Sequence, residues 1–331
     1  MRRKALVTGA TGYIGSVLCK MLKEKDYYVV GHDRNNVPER LRYCNDFIIT
    51  DLADIPHALF VKDLFFDVIF HLGAESLLGP SATDPLKYFD SNTAKTIPLI
   101  KECVAHGTNF VFASTAAVYA EVNPGTSNPI SENYEKEPIN NYGLSKWMTE
   151  QMLTKCVDAY QLKATSFRFF NVIGGYEDMG PRKETPHILS SLIRSTYDDV
   201  PFIINGTDWN TKDGTCVRDY VHVMDICRAM IFADKQMSAT DYYTGANSYH
   251  IPFNLASGVG FSVAEIIEAY EKVAKTKVNT VYGQRRKGDP EYLVADPHKF
   301  IKAGFEYKHS SVLENMIESA LWSFQKNVRG K

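Results

Sequence analysis

The sequence predicts an α/β protein: a doubly wound parallel sheet with a smaller mixed α/β C-terminal domain. Three observations predict it. The first half alternates short apolar runs with stretches of helical spacing. A glycine-rich turn stands directly after the first apolar run. The alternation degrades after Asn171, where Gly174, Gly175, Gly180 and Pro181 mark an irregular stretch.

Taken in order, residues 4–8 read as a short apolar strand and 14–25 as a helix. Strands follow at 27–33, 47–50 and 67–71, then one long helix at 85–106. A fifth strand at 109–114, a helix at 142–160 and a sixth strand at 163–170 complete the alternation. Strands separated by helices imply βαβ units with right-handed crossovers, and so a parallel sheet covered on both faces. Beyond that, 217–221 reads as a strand and 224–236 as a helix. Ser262-Val263-Ala264-Glu265 is a capping box opening a helix to about residue 275. A short strand at 280–282 and a last helix at 311–324 follow. The expected domains are 1–172, completed by part of 217–257, and 173–331.

Composition bounds the function. At 331 residues, 44% hydrophobic and 23% charged, the chain is an ordinary globular protein of about two domains. A net charge of −2 leaves no basic excess for a phosphate backbone, so nucleic acid is not an expected partner. No stretch of about 18 apolar residues is present for a membrane span, and the apolar run after the basic start is too short for a signal peptide. The six cysteines show no C-x-x-C spacing, so no metal is expected. They stand among apolar residues as small core side chains do, which suits a reducing compartment, the cytoplasm.

Gly9, Gly12 and Gly15 fall at i, i+3 and i+6, after a strand and at the opening of a helix that begins Tyr13-Ile14. This is a Rossmann-type dinucleotide loop. Gly9 permits the tight turn, Gly12 lets the backbone approach a diphosphate, and Gly15 allows close packing of helix on strand. Asp33 ends the second strand, 18 residues after Gly15, where a carboxylate accepts hydrogen bonds from the adenosine ribose. It would repel a 2′-phosphate and so favours NAD over NADP, whereas Arg34 beside it could pair with such a phosphate. Asp51-Leu52 would sit near the adenine; read alone, Asp51 is a helix N-cap.

Tyr142 and Lys146 stand at i and i+4, on one face of a helix. Of 19 tyrosines, Tyr142 alone has a lysine four places on. The preceding strand ends in Ser114-Thr115, placing hydroxyls where ligands bind parallel sheets. A phenol acting as a base near pH 7 must come down from a pKa near 10, about 4 kcal/mol. One cation about 6 Å away, at an effective dielectric near 20, contributes roughly 2.8 kcal/mol. The lysine alone falls short, and an oxidised nicotinamide would supply the rest.

These residues together resemble the extended short-chain dehydrogenase/reductase superfamily, and within it the UDP-hexose 4-epimerases. The likeness runs from about Ala5 to Phe300. It includes Phe169-Phe170-Asn171-Val172-Ile173-Gly174 and is most specific in the stretch from Asp213 through Val217-Arg218-Asp219-Tyr220-Val221-His222 to Asp225, and in Arg285-Arg286-Lys287-Gly288-Asp289. It implies NAD-dependent interconversion of UDP-glucose and UDP-galactose: oxidation at C4, rotation of the 4-keto sugar and re-reduction. Tyr142 would be the proton shuttle, Lys146 would bind the nicotinamide ribose, and Thr115 would hydrogen-bond the sugar 4-hydroxyl. Tyr13, Ile14 and Asn92 would join the glycines, Asp33, Asp51 and Leu52 at NAD. Asn171, Leu189, Arg218, Arg286, Asp289 and Leu293 would meet the UDP-sugar, with Leu293 facing the 2-substituent. The first domain would thus bind NAD and the second the nucleotide sugar, in a homodimer. Ala116-Ala117 stand where related dehydratases carry an Asp-Glu pair. Three positions depart from the family: Ser76 for a lysine near the cofactor, His187-Ile188-Leu189 for Asn-Asn-Leu, and Asn205 for the aromatic over the base. Other readings are an epimerase or reductase on another nucleotide sugar (a UDP-N-acetylhexosamine, uronate or pentose) and an NAD-sensing regulatory protein.

Overall fold

The computed structural model describes residues 2–62, 64–120, 129–183, 185–239, 250–286 and 289–329. Lys287 and Gly288 of the Arg285–Asp289 motif lie outside them. Among the described residues the strands are, in chain order, β1 (Lys4–Thr8), β2 (Tyr28–Asp33), β3 (Asp46–Ile49), β4 (Val68–His71), β5 (Asn109–Thr115), β6 (Ala164–Phe169), β7 (Asn171–Ile173), β8 (Phe202–Asn205), β9 (Val217–His222), β10 (Ile251–Leu255), β11 (Gly260–Ser262), β12 (Thr280–Gly283) and β13 (Tyr292–Leu293).

The chain divides into two compact units. One comprises residues 1–120, 135–169 and 227–253; the other comprises 121–134, 170–226 and 254–331. In the first, seven strands lie in the order β10-β6-β5-β4-β1-β2-β3. The pairs β1/β2, β1/β4, β2/β3, β4/β5 and β5/β6 are parallel. Ala5, Leu6 and Val7 of β1 and Phe110, Val111 and Phe112 of β5 are wholly buried, as central strands covered on both faces must be. The order reverses beside β1, between β2 and β4. The crevice at the carboxyl ends of β1 and β4 is therefore where such a sheet binds ligands. There Thr8 Oγ1 meets His71 Nδ1 at 2.7 Å, bridging the two strand ends.

The expected single helix over 85–106 is broken. Helix Pro85–Phe89 runs into a π-helical turn, Asp90–Ala94, before helix Thr96–His106 begins. The cause is Asn92. Its carbonyl accepts the Thr96 and Thr149 hydroxyls, and its amide turns inward onto neighbouring groups, so the regular ladder is locally displaced. Helix Asn141–Tyr160 is capped by the Asn140 side chain, which accepts from Gly143 N at 2.8 Å. A Cβ on Gly143 would lie 2.1 Å from the Ala117 carbonyl oxygen, so glycine there lets the helix start tight against the end of β5.

In the second unit β9 is central. It pairs with β7 and β13 in parallel and with β11 antiparallel, while β8 and β12 form a separate parallel pair. Helices Ile188–Tyr197, Val263–Ala274 and Leu313–Arg329 cover a core that includes Leu192, Ile193, Ile266, Tyr270, Met316 and Ile317. The capping box at Ser262 and Glu265 forms with both reciprocal hydrogen bonds.

Candidate active site and cofactor loop

Between β1 and helix Tyr13–Glu24 the glycine loop closes on itself. Gly12 N donates to the Gly9 carbonyl at 2.9 Å. A Cβ on Gly15 would sit 2.1 Å from that same oxygen, and one on Gly12 would sit 3.0 Å from it. No side chain caps the helix at Gly12. The loop is thus a cradle that side chains would fill, at a helix N-terminus suited to an anion, and it fits the diphosphate of a dinucleotide.

The residues expected around the adenosine gather by this loop or just beyond it. Asp33 accepts from Thr11 N at 3.1 Å and from Thr11 Oγ1 at 2.7 Å, which holds its carboxylate against the loop. Asp51 caps the 3-10 turn Leu52–Asp54 through Ala53 N and also pairs with Lys95 Nζ at 3.0 Å. Asn92, expected at the cofactor, has its amide engaged by the protein. It donates to Glu75 O and Ser145 Oγ and accepts from Glu75 N. It shapes the segment after β4 rather than presenting a free amide.

Thr115, Tyr142 and Lys146 come together at the end of β5. The Thr115 side chain is close enough to the Tyr142 hydroxyl to act on its ionisation, and its own oxygen accepts from Ala117 N at 3.2 Å. Burial pushes this half-buried phenol up to about 12, the Thr115 side chain pulls it down, and Tyr88, edge-on at 6.4 Å, adds to the rise. Lys146 is 2% exposed. Its Nζ donates to the Ala113 carbonyl at 2.9 Å and lies 4.7 Å above the Phe112 ring. Burial draws its pKa down to about 7, opposed by Glu150 one turn further on.

Glu150 was not foreseen. Arg168 grips it, with Nη2 2.6 Å from Oε2 and Nε 3.1 Å from Oε1, and the Ser114 hydroxyl donates to Oε1. Both residues are 1% exposed. Arg168 also reaches the Tyr119 hydroxyl at 3.0 Å. The spacing Tyr142, Lys146, Glu150, at successive steps of four, was the available signal. A second unforeseen carboxylate is Glu75, which pairs with Arg34 at 2.7 Å and Lys87 at 3.2 Å.

In the second unit, β9 carries Arg218. Its Nη1 donates to the Val217 carbonyl at 2.9 Å, and its Nη2 lies 4.0 Å from Asp289. Leu293 is the register partner of Arg218 across β13 and β9, so the two side chains leave the same face. Asp219, wholly buried, accepts from Ser257 N and Oγ, Gly258 N and Ala295 N, tying β9 to the segment that follows Leu293. With its amide oxygen toward Arg286, Asn205 accepts from Nε at 3.3 Å and Nη2 at 3.2 Å. Arg285 is engaged elsewhere, over the Trp209 ring at 4.0 Å and on Asp208. Asn171 lies on β7 opposite Tyr220. Leu189 is 2% exposed, packed in the unit's core.

The chain matches the family described as NAD dependent epimerase/dehydratase over residues 5–244. It is 33% identical over 327 residues to the UDP-glucose 4-epimerase of Corynebacterium glutamicum, covering 97% of this chain and 95% of that protein. A crystal structure of UDP-glucose 4-epimerase from Brucella ovis in complex with NAD superposes with a TM-score of 0.87 at 29% identity, covering 97% and 98% of the two chains. The UDP-Glc/GlcNAc 4-epimerase of Campylobacter jejuni gives a TM-score of 0.80 at 33% identity, covering 98% and 99%.

Proposed function

The chain belongs to the NAD dependent epimerase/dehydratase family, and we propose that it interconverts UDP-glucose and UDP-galactose by C4 oxidation, rotation of the 4-keto sugar and re-reduction. The observation that carries this reading is Tyr142 and buried Lys146 on one helix face at the end of the strand that carries Thr115, on a chain similar along nearly its whole length to UDP-glucose 4-epimerases. NAD is the cofactor, and when bound it supplies the two-electron oxidation and its reversal. The chain's own residues handle the proton. Thr115 orients the sugar 4-hydroxyl. The Tyr142 oxygen takes its proton and returns it after the sugar has turned. The Lys146 ammonium, fixed by Ala113 O, stabilises the phenolate once the cofactor's charge is present. Ala116 and Ala117 cannot move protons, so elimination of water has no acid–base pair at these positions.

Arg218 and Arg286 supply guanidinium forks suited to a diphosphate, and Asn171, Asp289 and Leu293 complete the nucleotide-sugar set. Asn205 in place of an aromatic leaves the base without a stacking partner at that position. The test is incubation with UDP-galactose, UDP-glucose and UDP-N-acetyl sugars, with interconversion followed by chromatography. Equilibration of UDP-glucose with UDP-galactose is expected; conversion of neither would overturn the reading.

The partner in solution is a second copy. Leu86 is 76% exposed, and Leu77, Leu78, Ile97 and Met148 are also exposed, on or beside helices Leu78–Thr83, Pro85–Phe89, Thr96–His106 and Asn141–Tyr160. A dimeric mass by light scattering at micromolar concentration is expected, and a purely monomeric mass would refute it. A cytoplasmic location fits six free cysteines. Among the described residues no helix is long and apolar enough to cross a membrane.

A further inference from the structure

Asp33 and Arg34 send opposite signals about the cofactor, because one repels a 2′-phosphate and the other could bind it. We propose that Glu75 settles the choice, holding Arg34 and Lys87 so that neither cation is offered to a 2′-phosphate. The inference rests on the reading of the glycine loop as an NAD site.

Arg34 Nη2 stands 2.7 Å from Glu75 Oε1, and Lys87 Nζ stands 3.2 Å from Oε2, so each carboxylate oxygen takes one cation. The Arg34 contact is close but poorly aligned as a hydrogen bond, which makes it chiefly ionic. The Glu75 side chain is 12% exposed, against 61% for Arg34 and 50% for Lys87. The carboxylate is therefore the buried member, and the two exposed cations come to it. Its backbone is clamped from both sides. Glu75 N donates to Asn92 Oδ1 at 2.8 Å, and Asn92 Nδ2 donates to Glu75 O at 2.9 Å. Asn92 is itself 1% exposed and donates to Ser145 Oγ. Burial would raise the Glu75 carboxyl, yet the Arg34 and Lys87 contacts outweigh it and hold the group below its ordinary range. It is thus ionised at neutral pH.

The charges close locally: Asp33 and Glu75 are negative, Arg34 and Lys87 positive. A ribose hydroxyl meets a neutral set in which Asp33, already accepting from Thr11 and Asn35, is an acceptor that a 2′-phosphate cannot use. A dianionic 2′-phosphate would have to draw a cation off Glu75 first. Ion pairs this exposed contribute little to stability, so their effect is to be sought in binding.

The test titrates the full-length chain, freed of bound NAD, with NAD and with NADP. Wild type is expected to bind NAD more tightly; failure to bind NAD at all would instead count against the cofactor reading. In Glu75→Gln, which keeps the shape and the backbone clamp, the NAD-over-NADP preference should fall by about tenfold or more. Adding Arg34→Ala to that variant should restore most of it. Arg34→Ala alone, at an exposed side chain, should leave the preference where it was. An unchanged preference in Glu75→Gln would overturn the proposal. So would a loss of NADP affinity in Arg34→Ala alone, since that would mean the arginine already reads the phosphate.

Discussion

At the residue scale two side chains carry the sharpest expectations. Tyr142 holds a proton that must leave and return, from an environment that pushes its pKa up to about 12. Replacing it with Phe removes the transfer and little volume. Tyr142→Phe should lower turnover by about 10² to 10⁴ while UDP-sugar still binds, as stopped assays and titration would report. Near-normal turnover would exclude it as the base. Leu293 shares a strand face with Arg218, which gives its expected place beside the sugar a structural footing. Leucine is smaller than tyrosine and larger than cysteine, so a 2-N-acetyl group should fit with strain of about 1–3 kcal/mol, by analogy with overpacked cores. Slow turnover of UDP-N-acetylglucosamine is expected in the parent. Leu293→Tyr should abolish it and spare the plain hexoses. Equal treatment of both substrates by mutant and parent would remove Leu293 from the site.

At the scale of elements, the strand–loop–helix unit at the N-terminus stands or falls with a backbone approach. Gly15→Ala places a methyl 2.1 Å from the Gly9 carbonyl, and backbone cannot swing aside as a side chain can. The mutant should bind NAD at least about tenfold more weakly and unfold at lower temperature, the strain being of order 1–3 kcal/mol. Gly79 is the internal control. It lies in helix Leu78–Thr83 with nothing within 4 Å of an added Cβ. Gly79→Ala should be neutral or stabilising by up to about 1 kcal/mol, with NAD binding intact. Calorimetry and titration of the two mutants side by side would decide. Equal effects would mean that the loop's closure is not what the glycine serves.

For the whole molecule, the buried histidines set a direction with pH. Burial lowers the pKa of His32, His71 and His222, the last to about 4. Each gains its proton near pH 6.5 when unfolded but only at lower pH when folded. Between those values the unfolded state binds more protons, and stability falls as pH falls. Asp219 acts the other way. Burial raises it to about 6, so the folded state holds a proton that the unfolded state releases near 3.8. Three groups oppose one, and the urea midpoint should be lower at pH 5.0 than at pH 7.5. An equal or higher midpoint at pH 5.0 would contradict this balance.

The sequence by itself determined what is local. The glycine loop, the six parallel strands of the first half, the Tyr142–Lys146 face and the Ser262 capping box each lie within one element or one turn, where spacing and residue type suffice. The tertiary structure decided what depends on distant partners. It broke the helix at Asn92, because Thr149 and Glu75, 57 and 17 positions away, compete for its carbonyl and amide. It brought the strand Ile251–Leu255 to the edge of a sheet begun at residue 4, and it assembled the second unit from β7, β11 and β13, strands of two or three residues too short to show a period. It also resolved the meaning of Arg34, whose partner Glu75 lies 41 positions on. Periodicity reports which face of an element is buried; only the fold fixes which charge meets which, because an ion pair is set by separation in space and not along the chain.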